Sequence, residues 1–116
     1  MNIHNIINNM DRFTNNIISI YKEQGKAWLE KLPKIVTELA IDWNLTELKS
    51  INNLSFNYVL SGCQNNTPII LKISFDNTEL LKEAETLKAF RNFGAVAILA
   101  QKHNALLLER AVPGVS

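Results

Sequence analysis

Cysteine is almost missing from this chain. Its single Cys63 allows no internal disulfide, and neither a Cys-x-x-Cys pair nor a Cys/His cluster is present to hold zinc. A reducing, cytoplasmic setting is therefore expected. An excess of one charge is missing too: twelve Lys and Arg against eleven Asp and Glu give a net charge of +1, without a block of five like charges. That excludes the dense basic surface of a general phosphate-backbone binder, so no nucleic acid partner is expected. No apolar run reaches about 18 residues and no basic segment leads into one at the N-terminus, which argues against a membrane span and a secretory signal. His4 and His103 sit in polar surroundings without ligand-like neighbours, and no spacing of Ser and His suits acyl transfer, so neither a metal site nor a nucleophilic triad is expected. With 116 residues the chain has room for one core, but not for two lobes around a cleft.

Six Asn fall in the first twenty residues (2, 5, 8, 9, 15 and 16), yet the residues between them are apolar at helical steps. Ile3, Ile6, Ile7, Met10, Phe13, Ile17, Ile18 and Tyr21 form one stripe and predict an amphipathic helix over 2–22. Beyond Gln24-Gly25 the stripe resumes with Trp28, Leu29, Leu32, Ile35, Val36, Leu39, Ala40 and Trp43. Pro33 removes a backbone donor and disfavours helical geometry at Leu32, so a kink or a split into two short helices is expected there. Both stripes and both tryptophans read as packing against a sheet.

From Leu45 the period changes. Leu48, Ile51, Leu54, Phe56, Tyr58 and Leu60 nearly alternate, interrupted at Asn52-Asn53. Ser61-Gly62 and Asn65-Asn66 then offer turn chemistry before the run Pro68-Ile69-Ile70-Leu71-Lys72-Ile73. Three short antiparallel strands are predicted. Asp76 followed by Glu79 signals the start of a helix whose apolar face is Leu80, Leu81, Ala84, Leu87 and Phe90 and which ends over Asn92 to Gly94. Two further strands, Val96 to Gln101 and Ala105 to Arg110, flank a tight turn at Lys102-His103-Asn104. Cys63 is expected beside Gly62 in a turn, without a neighbouring cation to activate it.

The predicted fold is therefore α+β: N-terminal helices, then a five-stranded antiparallel sheet with one helix between strands 3 and 4, the arrangement of a kinase small lobe. Within it, Lys72 interrupts an otherwise apolar strand, where an ammonium group is costly unless it is paired. The protein-kinase signature has such a lysine in the third strand, binding nucleotide phosphates and pairing with a glutamate of the next helix. Of the helix acids, Glu83 lies nearest the apolar stripe, Glu85 turns further away, and the helix dipole alone accounts for Glu79 in the first turn. The competing reading is a strand-edge lysine that guards against aggregation or extends to solvent.

Several short stretches occur in a telling order: Trp28-Leu29-x-x-Leu32-Pro33, Trp43-Asn44-Leu45, Ser55-x-Asn57-Tyr58-Val59, Ile70-Leu71-Lys72-Ile73, Glu83-Ala84-x-x-Leu87, Gly94-Ala95-Val96 and the run Ala105-Leu106-Leu107-Leu108-Glu109-Arg110-Ala111-x-Pro113-Gly114. From about residue 26 to 114 the chain resembles the aminoglycoside and hydroxyurea antibiotic-resistance kinase family, the streptomycin 6-kinase-like aminoglycoside phosphotransferases.

The resemblance implies a protein-kinase-like small lobe and transfer of a phosphoryl group from ATP or another nucleoside triphosphate, with Mg2+, to a hydroxyl of an aminoglycoside. It places Lys72 on the donor phosphates and makes Glu83 its orienting acid. The segment from Asn52 to Asn57 would cover the phosphates, with Ser55 and Asn57 as hydrogen-bonding residues and no glycine to ease backbone approach. The carbonyl of Glu109 and the amide of Ala111 would face the base, leaving the Glu109 and Arg110 side chains to a local ion pair.

The division that follows is a helical segment over 1–44, a sheet-and-helix lobe over 45–111 and the start of a linker over 112–116. In such kinases the acceptor-activating aspartate, the metal ligands and the aminoglycoside pocket belong to a large lobe. No catalytic or metal residue is therefore assigned to this chain, which by itself is expected to be inactive and to bind nucleotide weakly. Apolar surface near Leu106, Leu108, Val112 and the phosphate turn is expected to be exposed, favouring self-association there or through the N-terminal helix. Two other readings stand: a naturally short, non-catalytic kinase-like interaction module, and a winged-helix regulator. The second needs a basic recognition helix, whereas 76–90 carries Asp76, Glu79, Glu83 and Glu85 against Lys82 and Lys88.

Overall fold

A computed structural model describes residues 11–51, 57–93 and 96–110. Among the described residues the protein is α+β, with two α-helices and a five-stranded antiparallel sheet. In chain order it has helix α1 (Asp11–Asp42), strands β1 (Leu45–Ser50), β2 (Asn57–Gln64) and β3 (Thr67–Ser74), helix α2 (Asn77–Ala89), a single 3-10 turn (Arg91–Phe93), and strands β4 (Ile98–Lys102) and β5 (Ala105–Glu109). In the sheet the strands run β1-β2-β3-β5-β4.

Helix α1 bends, but not where proline predicts. The break falls at Lys22, whose φ of 54° and ψ of −130° are non-helical, while Pro33 lies inside a helix that continues to Asp42. Pro33 is exposed, so the Leu29 carbonyl left without its donor lies on the solvent side, and the Thr37 hydroxyl donates to the Pro33 carbonyl at 3.0 Å. The bend at Lys22 is sharp. In a straight helix residues 17 and 25 stand about 12 Å apart, yet a Cβ on Gly25 would lie 2.8 Å from the Ile17 carbonyl oxygen and 2.9 Å from its Cγ2. Gly25 is needed for this close approach of the two helical stretches. Residues 2–10 of the predicted first helix lie outside the described residues, as do Leu54 and Phe56 of the strand pattern.

The stripe of α1 covers one face of the sheet. Phe13, Ile17, Leu32 and Leu39 pack with Leu45, Leu48, Tyr58, Leu60, Leu71, Ile73 and Leu107, and both Trp28 and Trp43 lie half-buried against this core. Phe13 stacks on Tyr58 with ring centres 5.4 Å apart, and Trp28 meets Phe75 edge-on at 5.7 Å. At the end of α1, Asp42 pairs with Lys102, whose ammonium lies 5.6 Å from the Trp43 ring centre. That ties the helix to the β4–β5 hairpin.

Two turn predictions separate at β2. Asn65-Asn66, with φ of 50° and 69°, makes the tight β2–β3 connection. Ser61-Gly62 instead lies within β2, and so does Cys63. The register of β1 against β2 shifts between Thr46 and Lys49, and Glu47 takes a φ of 57°. This bulge crosses Gly62 so closely that a Cβ there would lie 2.7 Å from Leu48 Cδ2 and 2.8 Å from the Thr46 carbonyl oxygen. The glycine serves a close approach, not a turn.

Helix α2 packs on the opposite face, against β3, β4 and β5. Leu80 and Ala84 are buried with Leu106 and Leu108, while Leu87, Ile70, Val96 and Ile98 border them half-buried. Leu81 and Phe90, predicted on the apolar face, are 46% and 55% exposed, so the buried stripe is narrower than the sequence pattern. Leu106 and Leu108, expected on exposed surface, are 0% and 4% exposed because α2 covers them. Val112 and residues 52–56 lie outside the described residues.

Candidate functional site

Alternation along β3 divides its side chains between the two faces. Ile69, Leu71 and Ile73 enter the core under α1, whereas Ile70 and Lys72 belong to the α2 side. Antiparallel register then sets the neighbours. Val59 of β2 and Leu106 of β5 flank Lys72, and Ser61 and Leu108 flank Ile70. An ammonium group thus stands in an apolar row, with α2 on its β5 side and half-buried Val59 on its β2 side.

Helix α2 supplies the counter-charge. Asp76 takes an extended conformation and its carboxylate accepts the Thr78 amide at 2.9 Å, which satisfies a free amide in the first turn. The hydrogen bonds from Thr78 hold the Asp76 carboxyl below its ordinary value of 3.8, with Lys82 adding to the effect. Seven residues after this cap, Glu83 meets the strand: Lys72 Nζ donates to Glu83 Oε1 at 2.9 Å and stands 2.9 Å from Oε2. The second contact is ionic in distance but lacks hydrogen-bond geometry, and Oε2 is buried without another donor. Glu79 and Glu85 are exposed, so of the three acids the helix turns Glu83 toward the sheet.

The pair is neither fully buried nor free, with the side chains 26% and 29% exposed. Such a position costs part of the hydration of both ions and recovers it through their mutual attraction. A lysine ammonium has three donors, and among the described residues Glu83 is the acceptor it bonds. Further N–H groups therefore remain for an anion that approaches from the open side. Lys49 stands on the same face two strands away, exposed opposite Ser61 in the register of β1. The arrangement suits an anionic group at Lys72 with an apolar body along Val59 and Ile70.

The remaining sequence candidates divide. Asn57 begins β2 and is half-buried, whereas Ser55 and Ala111 lie outside the described residues. Glu109 closes β5 with an exposed side chain, but it makes no pair with Arg110 among the described residues. Its carboxylate accepts the Ala97 amide at 2.9 Å while its own amide donates to the Ala97 carbonyl at 3.0 Å, a reciprocal clamp across the β4 edge. The Arg110 amide donates to the Pro68 carbonyl at 3.2 Å, so the backbone here continues the β3 border.

Cys63 lies within β2 rather than in a turn. Its thiol donates to Glu47 Oε2 at 3.3 Å, and this hydrogen bond to a carboxylate, helped by burial and negative charge, pushes the thiol pKa up. A cleft of about 300 Å³ lies elsewhere, between the C-terminal end of α2 and β4, with Leu87, Lys88, Arg91, Val96 and Ile98 among its walls. It includes neither Lys72 nor Glu83. Among the described residues no group of three or more His, Cys, Asp or Glu is gathered as a metal site. No helix of the described residues is long and apolar enough to cross a membrane.

The residues that sequence reasoning missed are the walls, Val59 and Ile70. Their shared face follows from the two-residue period of a strand once the register across the Asn65-Asn66 turn is drawn. Comparison of the chain with family models, with curated proteins and with solved structures finds no match.

Proposed function

We propose that this chain is the nucleotide-binding lobe of an ATP-dependent phosphotransferase of the aminoglycoside-kinase kind. The observation that carries the reading is the Lys72–Glu83 pair, 2.9 Å apart on a sheet face that α2 covers only in part. A strand lysine held by a helix glutamate is how kinases present a fixed positive charge to donor phosphates. Two features support it: the strand order β1-β2-β3-β5-β4, and a helix inserted between β3 and β4.

In this reading Lys72 binds the phosphates and Glu83 orients it without touching the nucleotide. The base lies along Val59, Ile70 and the end of β5, with the backbone of Glu109 at its edge; Ala111, which the resemblance assigns to the same role, lies outside the described residues. Asn57, the first residue of β2, is assigned to the phosphates, and Ser55, outside the described residues, is assigned with it from the resemblance alone. When bound with the nucleotide, Mg2+ would supply charge neutralisation at the donor phosphates, and in this reading the acceptor is a hydroxyl of an aminoglycoside such as streptomycin. The groups that would hold the metal and activate the acceptor are not among the described residues, so the role assigned to this chain is donor binding.

Titration of 15N-labelled protein with ATP and Mg2+, followed by amide shifts, tests the reading. Saturable shifts at Val59, Ile70, Lys72 and Leu108 that vanish in Lys72→Met are expected. A folded protein without such shifts at millimolar ATP would contradict it, and would favour a non-catalytic interaction module.

A further inference from the structure

The corner between β3 and α2 is held from outside by one residue of the β4–β5 turn, Asn104. Its amide donates to Asn77 Oδ1 at 2.7 Å, its side-chain Nδ2 donates to the Phe75 carbonyl at 3.3 Å, and its carbonyl accepts the Ser74 amide at 3.0 Å. Three hydrogen bonds therefore join this turn to the last residue of β3, the connection and the first residue of α2. Ser74 adds a fourth from within the corner, its hydroxyl donating to the Asp76 carbonyl at 2.9 Å.

A tight turn alone does not call for asparagine here. Asn104 has a φ of 65°, which glycine adopts with less strain, and its Oδ1 is buried without a hydrogen-bond partner. What asparagine adds is the amide that reaches Phe75. Glu83 lies about 9 Å along the helix from Asn77, so a tilt of roughly 10° about this corner would move its carboxylate by about 1.5 Å. That displacement breaks a contact of 2.9 Å. At the other end α2 borders the cleft of Leu87, Lys88, Val96 and Ile98, which leaves space beside the helix.

We infer that Asn104 is a positioning residue: by pinning the start of α2 to the sheet, it fixes Glu83 against Lys72. The consequence for nucleotide rests on the phosphate-binding reading of Lys72, but the mechanical link does not. The two are separated by measuring Lys72 without ligand. The acylation rate of each lysine by a small amine-reactive ester, read by peptide mass spectrometry, reports how firmly the ammonium is held.

Asn104→Gly keeps the turn and the backbone bonds but loses the link to Phe75, and Asn77→Ala loses the acceptor at the helix start. Both should raise Lys72 acylation about threefold or more, as for the release of a partly exposed ion pair, while Lys49 and Lys88 change little. Asn77→Ser, which keeps an oxygen acceptor, should restore slow reaction. Asn66→Gly, the same exchange in the β2–β3 turn, where φ is 69° and glycine is at least as well suited, should leave both Lys72 acylation and thermal stability unchanged. Equal Lys72 rates in folded Asn104→Gly, Asn77→Ala and the parent would overturn the inference, as would an equal rise in Asn66→Gly. Faster acylation accompanied by weaker ATP–Mg2+ binding supports both joint and site. Faster acylation in a protein that shows no ATP–Mg2+ binding supports the joint and removes the nucleotide role.

Discussion

The two faces of the sheet are built from the same strands and serve opposite ends. On the α1 face every inward residue of β3 is apolar, and the helix stripe closes over it with Phe13, Ile17, Leu32 and Leu39. On the α2 face a shorter helix buries only Leu80 and Ala84 fully, and the next position in the strand is a charge held by Glu83. One face is completed by packing, which is stabilising and chemically inert. The other stops short of completion and leaves an ion pair partly open to solvent. Neighbouring residues of one strand thus divide between an apolar core and a partly exposed ion pair.

Exchanging adjacent residues tests that division most forcefully. Leu71→Ala opens a cavity under α1 and should cost about 2–5 kcal/mol in urea unfolding. Lys72→Met keeps the aliphatic stem and should cost about 1 kcal/mol or less, since both members of the pair retain access to water. Equal losses would break the contrast between the faces. At the bend of α1, Gly25→Ala forces a methyl against the Ile17 backbone and should cost about 1–3 kcal/mol. A neutral result would mean that the two helical stretches are not in close contact.

Smaller effects sharpen the picture at the rims. The raised Cys63 thiol should react slowly with iodoacetamide at pH 7–8, and Glu47→Gln should speed the reaction by removing the carboxylate that stabilises the protonated form. An unchanged rate would separate Cys63 from the β1 bulge. The Asp76 cap has a folded pKa below its ordinary value, so its contribution is present above that value and lost as pH falls through the lowered one. Melting temperature should therefore drop more steeply below pH 4 in the parent than in Asp76→Asn, and parallel curves would show that the cap carries no charge-dependent stability.

Much of this architecture was legible because period and punctuation agree. Asp76 marks the start of α2, Asn65-Asn66 supplies the two positive φ angles of a hairpin, and the step from Leu71 to Lys72 shows where the apolar run turns chemical. The helical angle alone favours Glu83 over Glu85, and the distances follow suit. What misled were local signals with a tertiary cause. Gly62 reads as a turn but serves a crossing bulge, and Pro33 reads as a break but is tolerated on an exposed helix side. The bend at Lys22 falls where the first predicted helix ends, just before Gln24-Gly25, and Gly25 serves it through a contact eight residues back. Leu106 and Leu108 looked exposed because the reach of α2 cannot be read from the strand that it covers.

The proposal that Lys72 faces a triphosphate is tested most directly by an ATP acyl-phosphate, which transfers its acyl group to a lysine lying at the phosphates. With Mg2+ present, peptide mapping should find the label on Lys72, reduced by excess free ATP and absent from Lys72→Met while other lysines stay near background. Label spread over Lys49, Lys88 and Lys102 without competition by ATP, and none above background on Lys72, would contradict the account.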